Sequence, residues 1–105
     1  MDSAETARTA LAELDKALAA KPDVDGHTLS AAAFNLSALR DSMAMRQRKL
    51  GQNPDSRRRL EHVNAVLRVV LGVHFPLGSM PWDELEKARE WLAKLADEEA
   101  RQGTA

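Results

Sequence analysis

Val66-Leu67-Arg68-Val69-Val70-Leu71-Gly72-Val73 is the stretch on which the fold class turns. Its valines favour a β-strand, because a branched Cβ packs well on a pleated surface. A strand needs a partner, and the chain contains no second strand-like segment. Extended toward the N-terminus, the same stretch falls into a helical rhythm in which Leu60, Val63, Val66, Leu67, Val70 and Leu71 cover one wide arc. Helix therefore prevails over strand. Asn53-Pro54-Asp55 supplies an N-cap, a proline at the first helical position and an acid in the first turn, and Gly72 is the expected stop. The predicted helix spans about 54–72, with Val69 outside its arc.

Working outward, three more segments follow the same period. The first is expected over about 3–21, with Asp2 and Glu5 spaced as an approximate capping box. Ala4, Ala7, Leu11, Leu14 and Leu18 share its face, and Lys21-Pro22 with Gly26 breaks it. The second runs over about 28–50 and stops at Gly51. Leu29, Ala32, Leu36, Leu39, Met43 and Leu50 form one stripe; Ala31, Phe34, Ala38 and Met45 form another on nearly the opposite side. Such a helix is either central in its own fold or covered by a partner. The last helix covers about 81–101 and turns Trp82, Leu85, Ala88, Leu92, Leu95 and Ala96 inward, with Trp91 at the edge. Residues 73–80 read as an apolar corner and 102–105 as a frayed tail. Connections of roughly 3 to 8 residues fit neighbouring antiparallel helices. The expectation is a single helical domain over 1–105: all-α, a compact antiparallel bundle of about four helices.

Composition narrows the chemistry. The chain has 105 residues, a net charge of −1 and a hydrophobic fraction of 44%, of which alanine is the largest part; Cys and Tyr are absent. Disulfides, thiolate metal sites and Cys or Tyr nucleophiles are thereby excluded. The acidic start, Met1 to Glu5, lacks the basic and apolar regions of a secretory signal, and the most apolar stretch is too short to span a bilayer. A cytoplasmic protein with no membrane association is expected.

Residues 40–68 hold eight Arg or Lys against three acids, a local net charge of +5. If the two middle helices form a hairpin, Arg46, Arg48, Lys49, Arg57, Arg58 and Arg59 gather at one end, where they could meet phosphates or an acidic protein surface. No aromatic side chain interleaves with them for base stacking. His27, His62 and His74 lack the i, i+3 or i+4 spacing of helical metal ligands, and no metal or cofactor is expected. The acids of the last helix, Asp83 to Glu99, read as a solvated face, and no phosphate loop or nucleophile elbow is present. The chain is not expected to be an enzyme.

The stretch from His27 to Ala38 resembles the phosphoacceptor helix of histidine phosphotransfer domains, four-helix domains of about this length. His27, Thr28, Leu29 and Asn35 match. Ser30 stands where that family has a phosphate-holding Lys, Ala31 and Ser37 replace glycines, and His27 lies at a helix start instead of mid-helix. The resemblance implies a phosphorylatable His27.

The leading expectation is a helical protein-interaction module, a homodimer or an adaptor, that buries Phe34, Ala38, Met45 and Trp91. A nucleic-acid or phosphate-binding regulator using 46–59 is the alternative, and phosphotransfer through His27 comes third.

Overall fold

Asp2 starts the first helix, α1 (Ser3–Ala19): its Oδ1 accepts a hydrogen bond from Glu5 N at 2.8 Å. The computed structural model describes residues 2–51, 53–74 and 81–103. α1 stops at Ala19, two residues short of the expected 21, because Lys21 N donates to Leu18 O and Asp23 N to Ala20 O, closing a turn around a cis Lys21–Pro22 peptide. α2 (Gly26–Leu50) begins two residues before the expected Thr28. Asp25 is its true cap, accepting from Thr28 N at 3.1 Å and from Thr28 Oγ1 at 2.7 Å. Gly51 ends α2 at φ 85°, ψ 163°, a backbone region essentially reserved for glycine.

α3 (Pro54–His74) opens with a reciprocal box: Ser56 N donates to Asn53 Oδ1 at 2.8 Å, and Asn53 N donates to Ser56 Oγ at 3.1 Å. It passes through Gly72, where the sequence suggested an end. A glycine inside a helix costs only about 1 kcal/mol, too little to stop one whose preceding turns are packed. α4 (Trp82–Gly103) completes the set. It begins one residue after Pro81 and continues helically to Gly103, where a frayed tail was expected. The apolar corner falls mostly on residues 75–80, outside the described residues.

Strands are absent among the described residues, and the four helices make an antiparallel bundle. α1 packs on α2 and α4, and α3 packs on α2 and α4, while the backbones of the diagonal pairs do not approach closely. The molecule measures 42 × 23 × 19 Å, its long dimension close to the ~38 Å that 25 helical residues span. The core joins Ala7, Ala10 and Leu14 of α1, Leu29, Leu36 and Leu39 of α2, Val63, Val66 and Val70 of α3, and Leu85, Leu92 and Leu95 of α4.

Three apolar positions depart from expectation. Leu50 is 79% exposed: it has the azimuth of the inner stripe but lies beyond the core's end, where α3 is only beginning. Leu71 is half-exposed because it sits about a quarter turn from the centre of the buried face formed by Val63, Val66, Leu67 and Val70. Val69 is partly buried and packs against the core despite lying outside the predicted arc.

Candidate functional site

Two regions of the bundle concentrate the residues that carry interaction chemistry. The first is the outer face of α2. Phe34 is 74% and Met45 55% exposed, and Ala38 between them is also exposed. The three residues lie within about 40° of one another around the helix, opposite the buried line of Leu29, Ala32, Leu36, Leu39 and Met43. The bundle therefore leaves this second stripe uncovered, and α2 is not an inner helix satisfied on both sides. Trp91 does not belong to this face. It projects beside α3, half-exposed, and its ring stacks on His62 with centroids 5.9 Å apart and planes at 22°. Since α2 and α4 are diagonal in the bundle, Trp91 cannot share a contact patch with Phe34 and Met45.

The second region is the end where α1 and α3 start and α2 and α4 finish. Here the expected basic patch is divided by buried chemistry. Arg46 Nη2 donates to Glu99 Oε2 at 3.0 Å and to Ser3 Oγ at 2.9 Å, tying three helices together. Arg58 Nη2 donates to Glu98 Oε2 at 2.9 Å and to Asp55 Oδ1 at 2.7 Å. Arg59 points inward, its side chain only 5% exposed. Its Nη1 lies 3.7 Å from Glu99 Oε1 and its Nε 3.5 Å from Asp55 Oδ2, distances that give attraction between charges without hydrogen-bond geometry. Arg48, Lys49 and Arg57 remain exposed at this end.

Glu99 corrects the view of α4's acids as one solvated face, for its side chain is 2% exposed. The signal was present in the sequence: Leu85, Leu92 and Glu99 recur every seven residues, which holds one azimuth on a helix. Arg59 likewise continues the inward line of Val63, Val66 and Val70. In an antiparallel arrangement these two opposite charges arrive at the same height.

Beside the cluster opens a cleft of about 140 Å³, with Met43, Gln47 and Leu50 on the α2 side, Arg46 at its wall, and Ser56 and Arg59 on the α3 side. At α3's first turn, the hydrogen bond from Arg58 holds the Asp55 carboxyl below its ordinary value of 3.8. At α2's start, the hydrogen bonds from the Thr28 hydroxyl and backbone do the same for Asp25. His27 is exposed in the first turn of α2, at a helix start and not mid-helix. Among the described residues no group of three or more His, Asp or Glu side chains is placed to hold a metal ion, and no helix is long and apolar enough to cross a membrane.

Comparison with protein-family models, curated proteins and solved structures returns no match, so function is argued from the fold and its surfaces alone.

Proposed function

We propose that this bundle is a helix-packing interaction module whose contact surface is the outer face of α2. One observation carries the reading: Phe34 is 74% exposed on a stripe, shared with Ala38 and Met45, that faces directly away from the core. Large apolar side chains aligned on one face, with a small residue between them, suit close approach of a second helix. A second copy of the chain fits this pattern well. Phe34 and Met45 are equidistant from the midpoint between Leu39 and Arg40. An antiparallel α2–α2 contact centred there sets each Phe34 against the Met45 of the other copy, a favourable sulfur–aromatic pairing. Exposed Arg48 and Lys49 at the end of α2 add electrostatic steering toward acidic partners. Nucleic acid ranks behind protein at this end, because Arg46, Arg58 and Arg59 face the carboxylates of Glu99, Glu98 and Asp55.

Light scattering of the purified protein tests the reading. The expected mass is that of a dimer, falling to the monomer in the Phe34→Asp, Met45→Asp double variant with an unchanged helical spectrum and melting temperature. A wild-type monomer at high micromolar concentration would end the self-association version. Trp91→Ala should leave the mass unaltered, since that side chain lies on another face.

A further inference from the structure

Between Phe34 and Met45 the only charged residues are Arg40 and Asp41. Asp41 lies within about 20° of Phe34 and about 40° of Met45 around α2, so it belongs to the outer stripe. Arg40 starts from the flank, about 100° away. Even so, its Nε and Nη2 both donate to Asp41 Oδ1 at 3.3 Å, which draws the guanidinium to the edge of the stripe. Successive residues on a helix do not face one another, and 3.3 Å is long for a charged pair. Both side chains are well exposed. Both contacts also go to one carboxylate oxygen, which leaves Oδ2 to a second donor.

The place of this pair along α2 gives it meaning. The midpoint between Phe34 and Met45 falls between Leu39 and Arg40, so Arg40 and Asp41 stand about 0.8 and about 2.3 Å beyond it along the axis. In an antiparallel contact centred there, Arg40 of one copy stands only about 3 Å along the axis from Asp41 of the other. The two-fold axis puts both pairs on the same edge of the contact. Ala38 comes opposite the second copy's Asp41, and its small side chain leaves room for the carboxylate. A parallel contact would instead bring the two Asp41 side chains to one height, with the two Arg40 on opposite edges.

Resting on the self-association reading above, we propose that Arg40 and Asp41 are the self-recognition residues of α2. Each Arg40 guanidinium bridges its own Asp41 and the Asp41 of a second copy, closing a ring of four alternating charges at the centre of the antiparallel contact. The planar, many-donor guanidinium suits a place between two carboxylates. An apolar helix without a cation near its centre would cover Asp41 and remove it from water uncompensated, so the pair selects a second copy over such a helix. Polar residues in an apolar seam fix orientation and partner choice in this way, at some loss of affinity.

Charge exchange in the full chain tests the ring. Arg40→Asp places four acids at the centre of a self-contact, and Asp41→Arg places four arginines there. Each variant alone should self-associate at least about tenfold more weakly than the wild type in sedimentation equilibrium. Their equal mixture sets two acids against two arginines and should form a heterodimer of wild-type affinity within about threefold. Both positions are solvent-facing, so the helical spectrum and melting temperature should be unchanged. Because the chain has no native cysteine, a nitroxide on Ser30→Cys reports orientation. The expected separation is about 30 Å for antiparallel helices and about 10 Å for parallel ones. A monomeric wild type at high micromolar concentration removes the stripe contact and this inference with it. A wild-type dimer whose variants associate equally well, or whose mixture is no tighter than either variant, overturns the charge ring and leaves the apolar contact standing. A nitroxide separation near 10 Å does the same.

Discussion

At the scale of single residues, the buried charges dominate. Glu99 is the buried counter-charge for Arg59 and Arg46 at once, so Glu99→Gln leaves the interior Arg59 guanidinium with only the exposed Asp55 carboxylate near it. Removing one member of a buried ion pair costs about 3–5 kcal/mol, and urea unfolding should register a loss of that size. Glu98→Gln, which affects only the more exposed Arg58, should cost less than about 1 kcal/mol. The inward position of Glu99 was legible in its seven-residue spacing from Leu92 and Leu85. Counting charges along α4 hid it, because a tally of acids ignores azimuth. Gly51 gives a second test. Nothing lies within 4 Å of where a Cβ would stand, yet its φ of +85° strains any other residue. Gly51→Ala should therefore destabilise by about 1–3 kcal/mol through the backbone alone. Acid sensitivity is set partly by Asp25 and Asp55. Their folded pKa values lie below 3.8, so their contribution is present above that pH and is lost as pH falls through the depressed values. The urea midpoint should drop between about pH 4 and pH 2, and less steeply in Asp25→Asn.

Among the helices, α1 is the lean one, whereas α2 buries Leu29, Leu36, Leu39 and Met43. α1 places Ala7, Ala10 and Ala17 in the core, with Leu14 as its one large fully buried side chain. Small residues allow α1 to sit close to its neighbours, and space for larger ones is lacking. Ala10→Leu is accordingly expected to destabilise by about 1–3 kcal/mol in a thermal melt. Ala38→Leu on the exposed stripe of α2 should leave the fold intact and alter only association, so the same substitution separates the core face of α1 from the outer face of α2. Helix α2 also shows where periodicity stops being informative. Azimuth is fixed by the sequence, which is why Phe34 and Met45 were rightly placed opposite Leu36. Height is not fixed: Leu50 shares the azimuth of Met43 but stands beyond the last layer of the core, and only the packed partner reveals that.

For the molecule as a whole, helix number and antiparallel arrangement were readable from caps, breakers and the 3.6-residue period. The candidate surface was partly readable. Phe34, Ala38 and Met45 emerged together, while Trp91 was grouped with them because neighbour relations around the bundle cannot be deduced from one helix at a time. The basic patch was readable as composition and not as chemistry, since the acids facing Arg46, Arg58 and Arg59 come from α4 and from the turn ahead of them. Those pairs link sequence positions as far apart as Arg46 and Glu99.

The layer formed by Arg59 and Glu99 has a consequence for how the helices find one another. The remaining layers are all apolar, so a slide of α4 by one turn, about 5.4 Å, would exchange one apolar layer for another without exposing a charge. A positive and a negative charge at one height label a single alignment, because any slip strands both in oil. The label is expected to trade stability for uniqueness. Arg59→Met with Glu99→Leu should match or exceed the native melting temperature yet give a broadened amide spectrum from coexisting alignments. A sharp, singly populated spectrum would show that the hydrophobic layers alone encode the alignment.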